Sequence, residues 1–405
     1  MRFFSKLALS LMFSSVFTAA QGFPSLTSEQ WIQELHYFTN EIRGEHRDPY
    51  HLISKTKFDS EIAALETRIP SMKDYEVVVG LQRLAALIGD GHTFVDTSLY
   101  RRLPIEAFWF GEDLRVVRAA PEYKRAIGAK VVKIGSTSIN EVRGKLQQLI
   151  PQGESKWFEM DRSAGLITEI EPLAALHIIP YSDTAGFTFE TDSGSRFTLE
   201  LRADVPGKNS SLVTLSEQVP LPFQHSDAPF WFTYLSDSRT VYVDFHSYQD
   251  LQEETKHLWE FIAQHPVKRL IIDMRWNGGG NFVHGRQYLV SKITFMPLLN
   301  RPGRLFVITG RRTFSAGMTN VTDFRRETEA IIVGEPTGAR PNGYQENHWF
   351  RLPLSKIQVS CATLKYRFQP YNDSSAVFPD HQADPDWSLF RIGKDSAIDW
   401  ILTQP

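Results

Sequence analysis

The stretch RLIIDMRWNGGGN, residues 269–281, joins a short apolar run to three consecutive glycines. A continuous apolar run of this length is typical of a strand that is buried on both faces of a sheet. Consecutive glycines allow a tight turn and bring backbone N–H groups close to a ligand, and the start of a following helix adds positive potential. The stretch therefore predicts a strand, a loop and a helix, with either an oxyanion cradle or a plain tight turn between them.

Two nucleotide-binding motifs are excluded at this loop. No Gly-Lys-Ser/Thr follows the glycines, so no lysine is placed to reach a phosphate as in a P-loop. The glycines are adjacent and lack the G-x-G-x-x-G spacing of a dinucleotide fingerprint. A ligand at this loop is therefore not expected to be a nucleotide.

Strand-like and helix-like patterns alternate on both sides of the glycine loop. They follow one another at 240–248, 251–265, 269–275, 282–293, 304–310, a helix after Ser315, and 330–335. Apolar strands between amphipathic helices predict an α/β fold with a mostly parallel sheet covered on both faces. We assign this domain to residues 206–405, and we expect functional residues at the carboxyl ends of its strands.

A second strand end carries the stretch RRTFSAGMTN, residues 311–320, in which Ser315 precedes Ala316 and Gly317. A serine between a strand and a helix, with small neighbours, has the surroundings of a nucleophile elbow. Serine is also a favoured helix N-cap. The stretch alone leaves both interpretations open.

Upstream, residues 1–20 have the pattern of a secretory signal peptide. Arg2 and Lys6 flank its start, an apolar stretch follows, and small residues end at Ala20, after which we expect cleavage. No later apolar run approaches the length needed to cross a bilayer. The sequence therefore predicts an exported protein, periplasmic or secreted, without a membrane span.

Two domains are predicted between the signal and the sheet. In residues 21–97, Thr27 and Gln30 form a capping pattern, and a second amphipathic helix stops at Gly89, just before His92. Residues 98–205 contain short alternating strands and one helix, a pattern that fits a PDZ-like β segment or an unspecialised small β domain. We therefore expect a helical domain that ends near His92, followed by a β-rich one.

Composition narrows the class of partner and of chemistry. The 405 residues carry 44 basic and 47 acidic side chains, so no polycationic surface for nucleic acid is expected. The single cysteine, Cys361, excludes an intramolecular disulfide, and its alternating surroundings favour a buried strand residue over a nucleophile. No HExxH motif is present, so no metal or other cofactor is expected.

Taken together, DMRWNGGGN, the FSAG around Ser315, VGEPTG, IGDGHTFV and VFPDHQ resemble the tail-specific, or C-terminal-processing, serine peptidases and their tricorn-core relatives. The resemblance covers most of the mature chain. It implies a ClpP/crotonase-like α/β catalytic domain, hydrolysis of peptide bonds in peptides or protein tails, and no cofactor. By the family pattern, Ser315 is the nucleophile, and Gly279 and Ala316 supply the backbone N–H groups of the oxyanion hole.

One departure from the family pattern decides the expected base. Many members pair the serine with a lysine where this chain has Arg340, and a guanidinium that stays protonated cannot accept the serine proton. The tricorn-like branch uses an upstream histidine, which corresponds to His92. Counting back from VFPD places its acidic partner at Asp373, with Asp90 and Glu346 as alternatives.

The sequence therefore predicts a serine peptidase in which His92 activates Ser315, with a peptide or protein as substrate. The alternative is a non-catalytic protein on the same fold that binds hydrophobic ligands or peptides, since 12% of the residues are aromatic. A pure binder needs neither His92 nor Ser315, which favours the peptidase. The sequence does not predict the oligomeric state.

Overall fold

The computed structural model describes residues 23–207, 210–214, 219–225 and 227–405. The predicted signal peptide, 1–20, lies outside these ranges. Within them, no helix is both long enough and apolar enough to cross a membrane.

The first described part of the chain forms three helices; the sequence predicts the first and the third of them, and the second, Lys55–Arg68, is an addition. Thr27 caps the first helix, and its side chain and that of Gln30 form the reciprocal bonds of a capping box. The third helix ends at Gly89, which is left-handed with φ 105°. The helices are α1 (Ser28–Glu45), α2 (Lys55–Arg68) and α3 (Asp74–Ile88).

The middle of the chain forms an antiparallel sheet with helices beside it. The first strand of the chain, β1 (Phe94–Val95), belongs to a different sheet, described below. The strands of the antiparallel sheet are β2 (Ile105–Phe110), β3 (Asp113–Ala119), β4 (Lys130–Ile134), β5 (Thr137–Ser138), β6 (Thr184–Glu190), β7 (Arg196–Arg202) and β8 (Val213–Thr214). Their order is β2-β3-β4-β6-β7, with β5 on β4 and β8 on β3. The helices are α4 (Ile139–Leu146), α5 (Lys156–Leu166) and α6 (Ile170–Ala175).

The C-terminal half contains the predicted parallel sheet. Its strands are β9 (Phe230–Leu235), β10 (Thr240–Phe245), β11 (Arg269–Asp273), β12 (Leu305–Thr309), β13 (Ile331–Gly334) and β16 (His381–Gln382). The order is β16-β13-β12-β11-β10-β9, and every neighbouring pair is parallel except β9 with β10. The α/β class is therefore confirmed. The helices are α7 (Leu251–Gln264), α8 (Phe282–Gly285), α9 (Ser291–Thr294), α10 (Ala316–Glu327), α11 (Trp387–Phe390) and α12 (Ser396–Thr403). A π-helical turn, Arg286–Val290, joins α8 to α9.

A third, small sheet ties the N-terminal helices to the C-terminal half. The long strands β14 (Asn342–Arg351) and β15 (Gln358–Arg367) form a hairpin, and β1 pairs with β15 so that Phe94 lies opposite Ser360. Cys361 is buried in β15, as expected, and burial raises the pKa of its thiol to about 12. Because β1 starts two residues after His92, this pairing holds the loop that carries His92 against the C-terminal half.

Candidate active site

Ser315 lies between β12 and α10 with an unusual backbone. Its φ is 49° and its ψ is −124°, a region of backbone conformation that residues other than glycine rarely adopt. The Ser315 side chain occupies the N-cap position of α10, yet it makes no capping hydrogen bond. The strained backbone and the missing cap favour a nucleophile elbow over an N-cap.

The Ser315 hydroxyl instead faces His92. The distance between His92 Nε2 and Ser315 Oγ is 2.9 Å, although the two residues are 223 positions apart. The imidazole is 5% exposed and stacks on Phe314, with 4.8 Å between ring centroids. The structure thus brings together the two residues that the sequence analysis named as nucleophile and base.

Gly91 allows the His92 loop to approach this closely. A Cβ on Gly91 would lie 2.6 Å from Cζ of Phe314 and 3.1 Å from Cζ of Phe158, and both distances are shorter than normal contacts. The neighbouring β1–β15 pairing fixes the other end of the loop. His92 is therefore held in position both by the close packing at Gly91 and by the β1–β15 pairing that follows it.

The surroundings of His92 keep its ring neutral at ordinary pH. Burial lowers its pKa to about 4, while the Asp90 carboxylate and the Tyr344 backbone carbonyl act in the opposite direction and Arg162 lowers it further. A neutral ring that accepts the serine proton on Nε2 carries its own proton on Nδ1. No group of the described chain makes a well-formed hydrogen bond to Nδ1, and the Tyr344 carbonyl is the acceptor near it.

The structure does not bring Asp373 to His92, contrary to the expectation from the family pattern. The Asp373 side chain is 79% exposed and forms an ion pair with Arg340 at 3.2 Å. Glu346 is exposed too, and its carboxylate accepts a bond from the Tyr366 hydroxyl. The loop before residue 377 directs the Asp373 carboxylate outward, towards solvent and Arg340, so this structure does not place it beside the His92 ring.

Asp90, the other alternative, does lie beside His92, but it contacts the backbone and not the ring. Its Oδ1 accepts the backbone N–H of His92 at 3.1 Å, and its Oδ2 accepts from the Thr93 hydroxyl at 3.1 Å and from the ring of His46 at 2.8 Å. Asp90 is 3% exposed and His46 is 4% exposed. No local sequence pattern points to His46, because it lies 44 positions before Asp90 and meets it only in the folded chain.

The glycine loop lies against the serine elbow, as the oxyanion interpretation requires. A Cβ on Gly279, whose φ is 116°, would lie 3.2 Å from Ser315 Oγ and 3.3 Å from the Ala316 nitrogen. The Ala316 N–H has no partner within the described residues. The Gly279 N–H, in contrast, donates to Asn277 Oδ1 at 3.1 Å, so only Ala316 of the two predicted donors is free.

Arg340, at the position of the family lysine, has a structural partner that the sequence did not reveal. Glu154 accepts the backbone N–H of Gly91 at 3.0 Å and that of Arg340 at 3.2 Å. Burial raises the pKa of Glu154 to about 7. One carboxyl group therefore joins the loop that carries His92 to the loop that carries Arg340.

A cavity of about 550 Å³ opens beside the pair. Its walls include Gly91 and Phe314, the neighbours of His92 and Ser315, together with Gly278 of the glycine loop and Arg162 of α5. The guanidinium of Arg162 lies over the Phe158 ring at 4.9 Å. The cavity is large enough to hold several side chains of a peptide next to Ser315.

Comparisons with known proteins agree with this architecture. No family model and no curated protein matches the sequence. Among solved structures, mature CPAF in complex with lactacystin superposes with a TM-score of 0.65 at 11% identity, covering 93% of this chain and 97% of that one. Mature CPAF alone gives a TM-score of 0.64 at 11% identity, with 93% and 96% covered.

A photosystem II D1 C-terminal processing protease aligns over 92% of this chain and 99% of its own, with a TM-score of 0.43 and 16% identity. The chain therefore has the fold of CPAF over nearly its whole length. The predicted resemblance to the tail-specific peptidases is confirmed at the level of the fold.

Proposed function

We propose that the protein is a serine-type peptidase in which Ser315 attacks the peptide carbonyl and His92 accepts its proton. One observation carries the proposal: the 2.9 Å contact between a neutral, buried imidazole and a serine held in a strained elbow. A structural serine at a helix start gains a capping bond and an ordinary backbone. Ser315 has neither, which fits selection for chemistry.

The reaction follows from the positions of these atoms. Ser315 Oγ forms a bond to the substrate carbonyl carbon as its proton passes to His92 Nε2, and the carbonyl oxygen becomes an oxyanion. Collapse of this intermediate breaks the C–N bond, and His92 donates the proton to the departing amine. Water then attacks the acyl-enzyme, with His92 again as base, and the acid product leaves with Ser315 restored.

Charge on the oxyanion needs fixed donors. The free N–H of Ala316 at the start of α10 is the first, and the helix start adds favourable potential. Gly279 is the second donor of this proposal, and it can act only if its N–H leaves or shares its bond to Asn277. We therefore expect the glycine loop to adjust when substrate binds.

The finer assignments of fold and location belong to the same proposal. Residues 206–405, with the parallel sheet, are the ClpP/crotonase-like catalytic domain. Residues 98–205, which supply all strands of the antiparallel sheet except β8, are the PDZ-like segment that receives an extended chain at an open edge. Substrates are peptides or protein tails. Residues 1–20 direct export and are removed, so that the mature enzyme acts in the periplasm or outside the cell.

Labelling with a fluorophosphonate probe tests the mechanism. Wild type should be labelled, Ser315→Ala should not be, and His92→Gln should be labelled far more slowly, with all three folded as judged by circular dichroism. Equal labelling of wild type and Ser315→Ala would contradict the proposal. If the wild-type protein is neither labelled nor able to hydrolyse peptides, but binds retinol or a fatty acid, the protein is a binder of hydrophobic ligands.

A further inference from the structure

His46 and Asp90 form a buried pair beneath the loop that carries His92. His46 Nε2 lies 2.8 Å from Asp90 Oδ2, and the side chains are 0% and 3% exposed. Burying an ionic or polar pair costs free energy unless its bonds are complete. Both carboxylate oxygens of Asp90 accept hydrogen bonds from donors of this region, so the pair is a hydrogen-bonded unit that is almost completely buried.

The bonds of His46 determine which of its nitrogens carries the proton. The Asp48 backbone N–H donates to His46 Nδ1 at 3.0 Å, so Nδ1 must be the unprotonated nitrogen. The proton therefore lies on Nε2 and is donated to Asp90. His46 is therefore a hydrogen-bond donor to the Asp90 carboxyl group.

The same bonds argue against a metal at this place. Ligand atoms of His46, His51 and Asp90 lie within 4.8 Å of one another, as a metal centre would require. A metal on Nε2 would move the His46 proton to Nδ1, where it would face the Asp48 N–H. The donor set therefore fits a hydrogen-bonded pair better than a ligand set.

We propose that Asp90, held in place by His46, performs the role of a triad acid by positioning the His92 loop and stabilising positive charge on its ring. The inference rests on the proposed function. In the usual triad, a carboxylate bonds the ring nitrogen of the base. Here the carboxylate bonds the backbone N–H of His92, and the ring Nδ1 faces the Tyr344 carbonyl.

The physical reason is that Asp90 and His92 are both buried and belong to the same short loop, in which Asp90 bonds the backbone of His92. His92 becomes an imidazolium when it takes the serine proton, and this charge forms where little water can stabilise it. Among the groups that favour the charged form of His92, Asp90 raises its pKa most. His46 matters indirectly, because its proton compensates the desolvation of Asp90. Both are therefore positioning residues, because Asp90 acts through His92 and His46 acts through Asp90.

Other charged and titratable groups face this pair and could change the pH profile. Those that interact with Asp90 or His92 are His51, Glu154, Arg162, Tyr344 and Cys361, and Asp48 and Arg340 lie next to them. Glu154 needs its own control, because burial raises its pKa to about 7. The variant Glu154→Gln supplies that control.

The experiment compares Asp90→Asn, His46→Gln and His46→Leu in the full chain. Asp90→Asn should lower kcat on the order of 10²-fold with little change in KM, and should move the acid limb of kcat/KM to lower pH. His46→Leu should have the same effects. His46→Gln should restore most of the activity, because its amide can donate to Asp90 and accept from the Asp48 N–H.

Several outcomes would overturn the inference while leaving the proposed function intact. One is that Asp90→Asn loses activity only in proportion to its loss of folded protein, while the acid limb of kcat/KM stays at the pH of wild type. Another is a shift that appears equally in Glu154→Gln. A third is activity that EDTA removes and Zn²⁺ restores, since His46 would then be a metal ligand. If Ser315→Ala retained full hydrolysis, the proposed function itself would fail.

Discussion

The Nε2 atom of His92 lies 2.9 Å from Oγ of Ser315, and this contact joins a loop after the third helix to an elbow in the C-terminal sheet. Two connections hold the loops together: the β1–β15 pairing and the Glu154 carboxyl, which bonds both Gly91 and Arg340. The base is thus supplied by one end of the chain and fixed by the other.

The pH dependence of catalysis should reflect the burial of His92. An unperturbed histidine has a pKa near 6.5, whereas burial lowers that of His92 to about 4. Since kcat/KM reports the free enzyme, its acid limb should lie near pH 4. A peptide assay between pH 3 and 8, with folding checked at each pH, measures this limb. A midpoint at 6.5 would show that the ring is not desolvated as described.

The same lowered pKa links His92 to stability. The folded state binds its proton less tightly than the unfolded state, so the neutral ring favours folding above pH 6.5, and this contribution is lost as the pH falls towards 4. His92→Gln should therefore unfold with a weaker dependence on pH between 4 and 6.5 than wild type. Urea unfolding at pH 4.5 and 7 measures the difference, and parallel curves for the two proteins would refute it.

Arg162 and Asp90 change the pKa of His92 in opposite directions, so replacing each should shift the pH profile in opposite directions. Its guanidinium lowers the pKa of His92 from the wall of the cavity. Removing the charge in Arg162→Gln should shift the acid limb of kcat/KM to higher pH, whereas Asp90→Asn should shift it to lower pH. The Arg196→Gln variant is the control, because Arg196 pairs with Glu190 on the β6–β7 hairpin. A shift of the same size in the control would show a general charge effect.

The sequence predicted regular structure well where a local pattern determines it. The cap at Thr27 and the apolar runs of β11 and β12 are signals of this kind, and the α/β class followed from their alternation. His92 and Ser315 were named from motifs, but their contact depends on tertiary packing. The choice among Asp373, Asp90 and Glu346 could not be made from the sequence, because no local pattern says where a loop side chain points. β1 has only two residues, too few to show a strand period.

Strain at Ser315 should be measurable as stability. With φ at 49° and ψ at −124°, a side chain costs about 1 to 3 kcal/mol that glycine does not pay, although glycine is more flexible when unfolded. Ser315→Gly should therefore be more stable than Ser315→Ala by about 1 kcal/mol, and both should be inactive. In helix α2, Ser60→Gly should be less stable than Ser60→Ala. If glycine is the weaker variant at both sites, the elbow is not strained.

Glu154 should make stability fall as the pH rises through neutrality. Its folded pKa, raised to about 7 by burial, exceeds the ordinary value of 4.5. The folded state therefore holds this proton more tightly, and its contribution is complete below pH 4.5 and lost as the pH passes 7. Glu154→Gln loses one backbone bond at every pH but cannot ionise. The stability gap between wild type and this variant should shrink between pH 5 and 8, by on the order of 1 to 3 kcal/mol.

Denaturant unfolding at four pH values between 5 and 8 measures this gap. The matched control is Glu141→Gln, because Glu141 is an exposed capping residue whose pKa is lowered by its bonds to Ser138. Both folded and unfolded forms of Glu141 are ionised above pH 5, so its gap to wild type should stay constant there. A constant gap for Glu154→Gln as well would mean that its carboxyl is ionised throughout, held as an anion by the backbone N–H groups of Gly91 and Arg340.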